Sequence, residues 1–204
     1  MRRLPLFPLP VVLFPGSTMP LHVFEPRYRE MVSQCLEEKS PFGLLYHDCD
    51  ETGPFLSEQG RVGSLAEIAR HEELDDGRSL ILIRGKERIS LVEALESEEP
   101  FYEAVAEPYL DTSRPLPEAI LRVRQQTLEL FHAVLEGMHQ PPDEVPVFDL
   151  NRELSFQLAP LIQIDDLWRQ SLLELREEVY RLERLDALFQ AAIDRRVYGD
   201  EGAA

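Results

Sequence analysis

The sequence predicts an α+β protein: a small barrel-like β domain with one packed helix over residues 1–110, then a helical region over residues 111–204. Three observations carry that reading. Up to Tyr109 most apolar residues recur with period two between tight turns, as strands require. One interruption, Tyr28, Met31, Val32, Cys35 and Leu36, follows helical spacing and makes a single apolar stripe. Beyond Tyr109 the stripes have a 3.6-residue period.

Residues 4–14 read as extended. Pro5, Pro8 and Pro10 punctuate an apolar run, and proline, which has no amide hydrogen, suits strand edges. Pro15-Gly16 ends the run in a turn, and Leu21 to Phe24 is a second extended piece. A helix then starts at Pro26, where a missing amide hydrogen costs nothing because first-turn amides have no helical partner. Phe42 to Tyr46 reads as a buried strand and Asp48 to Gly60 as a polar loop. Asp76-Gly77 and Gly85-Lys86 read as hairpin turns, since glycine supplies positive φ. Leu80 to Ile83 is wholly apolar, which predicts a strand covered on both faces. Arg88 to Leu91 and Tyr102 to Glu107 alternate as half-buried strands do.

Arg114-Pro115-Leu116-Pro117 reads as a linker. Leu121, Leu128, Phe131 and Leu135 form one helical stripe, and the proline-rich segment Gln140 to Pro146 breaks the chain. Leu154, Leu158, Leu161 and Ile162 predict a short helix. Asp165-Asp166 supplies a cap for a long helix carrying Leu172, Leu175, Val179, Leu182, Leu185, Phe189 and Ile193 to about Tyr198.

The 204 residues carry a net charge of −17. Eleven basic residues face twenty acidic ones in residues 1–110, and ten face eighteen in the remainder, so the acidity is not confined to a tail. Such a field repels phosphate backbones and anionic lipid, so neither nucleic acid nor membrane is an expected partner. Cys35 and Cys49 are too few for a disulfide scaffold and suit a reducing cytoplasm. Arg2-Arg3 before LPLFPLPVVLF imitates a secretion signal, but its prolines break the helix a signal forms, so a cytoplasmic location is expected.

Motifs for chemistry fall short. His47-Asp48-Cys49-Asp50 holds metal-binding residue types, but neighbours in sequence seldom converge on one ion, and no metal or cofactor is expected. His71-Glu72 is followed by Asp75 where a zincin motif needs histidine. Cys35 lies on the helix stripe and reads as core rather than nucleophile. No catalytic residue is expected.

The segment LPLFPLPVVLFPGSTMPLHVFEPRYREMV closely resembles the opening of the Lon N-terminal, substrate-binding domain family. The matching residues are Leu4 to Leu9, Phe14-Pro15-Gly16, and Pro20 through Phe24-Glu25-Pro26-Arg27-Tyr28 to Arg29. FGLL from Phe42, VGSLAEI from Val62, DGRSLILIRGKERISLV from Asp76 and LSFQLAPLI from Leu154 extend the likeness over nearly the whole chain, as in stand-alone bacterial members. The resemblance implies a PUA-like β pseudo-barrel followed by a helical subdomain. It also implies a non-catalytic, proteolysis-related module that binds other polypeptides, either unfolded or tagged segments or a dedicated protein partner. The ATPase and Ser–Lys peptidase of full Lon proteases have no counterpart motif in these residues; Gly85-Lys86 is followed by Glu87, not Ser or Thr. Because PUA-like barrels often hold RNA, RNA binding is the alternative, and the charge opposes it.

Within the motif, Phe24 and Tyr28 are expected to anchor the helix on the barrel, with Glu25 and Arg27 bonded to each other or to backbone. Phe14, Pro15, Gly16 and Pro26 read as fold determinants too. Phe55, Leu56, Met138, Phe148 and Trp168 lie outside the clean stripes. They are the candidate peptide contacts, at an expected barrel–helix junction, since methionine and aromatic side chains adapt to varied apolar partners. The alternative for each is burial in the core.

Overall fold

Six strands form one mixed sheet: β1 (Arg2–Leu9), β2 (Thr18–Val23), β3 (Phe42–Tyr46), β4 (Val62–Glu73), β5 (Ser79–Leu95) and β6 (Tyr102–Pro108). Helices α1 (Pro26–Glu38) and the short α2 (Cys49–Thr52) interrupt them; α3 (Pro117–Glu136), α4 (Leu154–Leu158), α5 (Asp166–Glu174) and α6 (Glu178–Asp200) follow. The computed structural model describes residues 1–113, 115–138 and 145–200, with the backbone alone for 51, 52 and 196–200. Arg114 of the expected linker and residues 140–144 of the expected proline-rich break lie outside the described residues. No described helix is long and apolar enough to cross a membrane.

The length of β5 organises the sheet. Its first half pairs antiparallel with β2, from Val23↔Ser79 to Thr18↔Arg84, and its second half pairs with β6. β6 pairs with β1, β1 runs parallel to β3, β3 pairs with β4, and β4 returns to β5. Pairing therefore closes on itself through five strands, with β2 outside the circuit. Register shifts between Ser64 and Ala66, between Ile68 and Arg70, and between Leu91 and Glu93 bend the strands enough to close it.

Two apolar clusters follow from period-two alternation. Phe7, Phe42, Leu44, Ile81 and Ile83 point to the side that α1 covers with Tyr28, Met31, Val32 and Cys35. Leu4, Leu6, Leu45, Leu65, Ile89, Leu91, Ala104 and Ala106 form the other cluster. β3 serves both, which is why Phe42 to Leu45 is apolar without a break.

The turn expected at Gly85-Lys86 does not exist; both residues lie inside β5. Gly85 is needed there because a Cβ would collide with the carbonyl oxygen of Phe14. The Pro15-Gly16 turn folds onto this point: the Gly16 amide donates to the Gly85 carbonyl at 2.8 Å and the Gly85 amide to the Ser17 carbonyl at 3.0 Å. Asp76-Gly77 does turn the β4–β5 hairpin, with Gly77 at φ 76°.

The chain divides into two units, Met1–Leu110 with Ala159–Glu174, and Asp111–Leu158 with Leu175–Ala204. The C-terminal half is thus not one helical unit: residues 159–174 belong with the sheet. The long helix expected from Asp166 onward is accordingly two, α5 and α6. Its break has a hydrogen-bonding cause, because tertiary donors occupy carbonyls that a continuous helix would use. In the sheet unit Arg88 donates to the Leu173 carbonyl at 2.8 Å and the Tyr109 hydroxyl to that of Glu174 at 3.1 Å. In the helical unit Arg181 donates to the Leu175 carbonyl at 2.7 Å and the Thr112 amide to that of Arg176 at 2.9 Å.

In the helical unit the buried line of α3 is Ile120, Arg124, Thr127 and Phe131, not the expected stripe through Leu121 and Leu128, which are half-buried. Arg124 tolerates burial because its Nε donates to Glu178 at 3.0 Å and Nη1 to the Leu150 carbonyl at 2.8 Å. Phe131 meets Phe189 of α6, ring centroids 5.6 Å apart.

Candidate functional site

An apolar run that faces solvent marks the outer side of β2, β5 and β4. The run Leu80 to Ile83 is not covered on both faces as expected. Ile81 and Ile83 are core, whereas Leu80 is 43% exposed and Leu82 half-exposed. Register explains the split: His22, Leu80 and Glu72 lie in one row, Pro20, Leu82 and Arg70 in the next, Thr18, Arg84 and Glu67 in the third. Leu82 and its neighbours two residues away point outward together. Phe24, just past the end of β2, is 60% exposed, its ring 5.8 Å from that of His22. Contiguous exposed apolar side chains on a sheet are a mark of binding.

The edge of this face is blunted. Because the Gly85 amide bonds the Ser17 carbonyl, Thr18↔Arg84 is a non-hydrogen-bonded pair, and so is Pro20↔Leu82 two residues on. The position of Pro20 that would carry an amide hydrogen thus points away from β5. The middle of the edge lacks a donor, which discourages an added strand. Around the apolar patch, Lys86 pairs with Glu67 at 3.2 Å. The guanidinium groups of Arg70 and Arg84, both exposed, have no hydrogen-bond or ion-pair partner among the described residues.

The family-motif residues sit beside this face. Phe14 and Tyr28 are core; Tyr28 lies 4.3 Å from Phe7, ring to ring. Burial pushes the Tyr28 hydroxyl up to about 12; nearby Arg27 pulls the other way. Arg27 Nε donates to Glu25 at 2.9 Å, and its guanidinium lies 4.5 Å from the Tyr28 ring centre. Pro26 opens α1 with Glu25 before it in extended conformation. Gly16 has φ 83°, open to glycine, and Pro15 precedes it. Phe24 does not anchor the helix. The strand alternation that buries Val23 turns Phe24 to solvent.

The five candidate contacts are divided between the two units. Phe55, Leu56 and Trp168 are in the sheet unit, Met138 and Phe148 in the other. Phe55 is only 6% exposed, edge-on to His47 and Tyr102 at 5.3 and 4.9 Å, under the Arg61 guanidinium at 4.8 Å. Core packing claims it, which is the alternative the sequence leaves open for this residue. Leu56 next to it is exposed, since the chain reverses there around Arg61, which donates to its carbonyl at 3.2 Å. Trp168 is half-buried, its amide capped by Asp165 at 2.8 Å. Met138 is exposed, and Phe148 is half-buried, edge-on to Phe131 at 5.6 Å. His47 of the polar loop is buried, bonding the Gly53 carbonyl at 2.8 Å. Sequence reasoning misses Phe24, Leu80, Leu82, Arg70 and Arg84. For the four strand residues the signal is register, which pairs them across strands and cannot be read from one strand alone; for Phe24 it is the alternation of β2 carried one residue past Val23.

Residues 3–189 match the model of the ATP-dependent protease La (LON) substrate-binding domain. Lon protease 2 of Herpetosiphon aurantiacus is 31% identical over 94% of this chain, and Lon protease of Parabacteroides distasonis 25% over 88%. This chain covers 24% and 23% of those proteins, so it spans about a quarter of the length of the curated Lon proteases it matches. A crystal structure of a Lon N-terminal domain protein from Xanthomonas campestris superposes with TM-score 0.62 at 26% identity, covering 92% of this chain and 98% of that one. The N-terminal domain of the Mycobacterium avium complex Lon protease shares the fold, with TM-score 0.70 at 12% identity over 93% of this chain and 98% of that one. With a family model matched along nearly its whole length, the chain belongs to the Lon substrate-binding domain family.

Proposed function

We propose that this protein binds other polypeptides without acting on them chemically, as a recognition module for substrates of proteolysis. In this reading the closed sheet is a PUA-like pseudo-barrel. The chain serves in the cytoplasm as an adaptor for unfolded or tagged proteins. The observation that carries the reading is the exposed apolar patch of Phe24, Leu80 and Leu82 on the outer sheet face, in a member of a substrate-binding family. That face replaces the junction expected for Phe55 and its companions. It presents apolar groups beside the exposed cations Arg70 and Arg84.

Binding of this kind is weak. Apolar contact contributes about 25 cal/mol per Å², and ordering a flexible client offsets much of that, so micromolar affinity is expected. The test is titration of a reduced, unfolded model protein. Replacing Phe24 and Leu80 together by Ser is expected to lower affinity about tenfold, equivalent to about 1.4 kcal/mol, with the thermal midpoint unchanged. A lowered midpoint would place the pair in the core, and a wild-type protein that binds no unfolded client would end the reading.

A further inference from the structure

We infer that the outer face of β2, β5 and β4 takes an extended partner segment that is both acidic and apolar, acidic side chains on Arg70 and Arg84 and apolar ones on Leu82, Leu80 and Phe24. This rests on the polypeptide-binding reading and adds the chemistry of the partner. The starting point is an imbalance. The chain has 38 acidic residues for 21 basic ones, so a surface arginine has acids in surplus to pair with. Arg2, Arg3, Arg27, Arg78 and Lys86 each do pair. Arg70 and Arg84, in adjacent rows of one face, do not. Of the acids on that face, Glu67 is held by Lys86, and Glu72, in the row next to that of Arg70 and beside Leu80, makes no ion pair with it.

Along β5 the outward residues read Arg84, Leu82, Leu80: a cation, then two apolar groups, at spacing two. An extended segment also presents side chains at spacing two, so an acid followed by apolar residues matches the row. The second cation, Arg70, lies diagonal to Arg84, roughly 7 Å away by sheet geometry, within reach of the same or the next acid. Pro20 takes the central donor off the edge of β2, so the segment is recognised by side chains across the face rather than as an added strand. The net charge of −17 opposes an acidic partner only at long range. At about 0.15 M salt the screening length is roughly 8 Å, and the local cations decide.

The test uses the full 204-residue protein and three short fluorescent peptides in an anisotropy titration at physiological salt. One carries an acidic residue followed by aromatic residues two and four positions on, with serines between, so that all three share a face; one has lysine for the acid, and one keeps the acid but has serine for each aromatic residue. The acidic–apolar peptide is expected to bind about fivefold tighter than the lysine peptide, the scale of two exposed ion pairs, and the serine peptide not measurably. Arg70→Glu with Arg84→Glu is expected to invert the ranking of the first two, and Arg70→Gln with Arg84→Gln to remove it. A thermal melt of each variant checks folding, and the wild-type ranking is informative without any variant. Equal or tighter binding of the lysine peptide, or a ranking unmoved by charge reversal, would overturn the inference while leaving polypeptide binding intact. If no peptide and no unfolded client binds, the polypeptide-binding reading falls with it. A sedimenting dimer abolished by Phe24→Ser and Leu80→Ser would make a second copy of the chain the occupant, and would also overturn it.

Discussion

Arg181 has no exposed surface, and every direction of its guanidinium is used. It donates to Asp111 at 2.8 and 2.9 Å, to Glu153 at 2.6 Å, to the Ser155 hydroxyl at 3.0 Å and to the Leu175 carbonyl at 2.7 Å, and it lies 4.4 Å from the Phe156 ring centre. Five bonds in one plane suit a guanidinium; an ammonium has three donors in a cone. Removing one partner of a fully buried ion pair costs about 3 to 5 kcal/mol, but Glu153 is 46% exposed and Asp111 17%, so water takes up part of the loss and about 2 to 3 kcal/mol is expected here. Arg181→Ala is therefore expected to lower chemical stability by about that amount, and Arg181→Lys to recover only part, both checked by urea unfolding. Tyr28 makes the opposite kind of prediction. Its hydroxyl is raised to about 12 by burial, while in the unfolded chain it ionises near 10. The folded state therefore holds the proton longer. The stability this contributes is fully present below about pH 10 and drains away as pH rises toward 12. Unfolding midpoints measured from pH 8 to about pH 11 should fall, and Tyr28→Phe should flatten the Tyr28 share of that fall; an identical slope in the variant would refute the assignment.

Among the elements, β5 carries the most information and was the hardest to read. Gly85 stands where the Pro15-Gly16 turn crosses the strand, and a side chain would strike the Phe14 carbonyl, which is backbone and does not give way easily. Gly85→Ala is expected to cost about 1 to 3 kcal/mol, like other overpacking changes, while an alanine at the exposed neighbouring position, Arg84→Ala, stays within about 0.5 kcal/mol. A Gly85→Ala midpoint equal to wild type would show that the turn shifts freely. The glycine is visible in sequence, but its reason is a residue some seventy positions away, so it reads as a turn. The same limit runs through the other elements. Helix α1 was legible because Tyr28, Met31, Val32 and Cys35 make a stripe that needs no partner to be recognised. The buried line of α3 was not, because Arg124 and Thr127 look like surface until Glu178 is brought to them. The break between α5 and α6 contains neither glycine nor proline. It exists because Arg88, Tyr109, Thr112 and Arg181 bond its carbonyls, and the first three are remote in sequence. Strand existence is local; which face of β5 meets solvent is a matter of register, and the candidate site rests on that.

At the scale of the whole molecule, the chain leaves the sheet unit after Leu110 and returns to it for residues 159–174. A boundary drawn where the sequence texture changes, near Tyr109, would therefore cut the sheet unit from its own helix. The bonds at stake are specific. From α5, Gln170 donates to the Val62 carbonyl at 3.0 Å, and the Arg169 guanidinium lies 5.5 Å from the ring centre of Phe14, itself fully buried. In the other direction Arg88, 6% exposed, donates to the Leu173 carbonyl, and the Tyr109 hydroxyl to that of Glu174. A chain of residues 1–110 alone uncovers Phe14 and takes from Arg88 a carbonyl partner that water must replace. Losing one hydrogen bond to a charged group costs about 1.5 to 3 kcal/mol, a large share of a small domain's stability. Residues 1–110 are thus expected to melt well below the full chain and to bind a hydrophobic dye. Adding residues 159–174 through a flexible linker is expected to restore much of the midpoint, whereas a linker carrying residues 178–195 is not. Differential scanning calorimetry of the three chains decides it: equal midpoints for residues 1–110 and the full chain would mean that α5 rests on the sheet without supporting it.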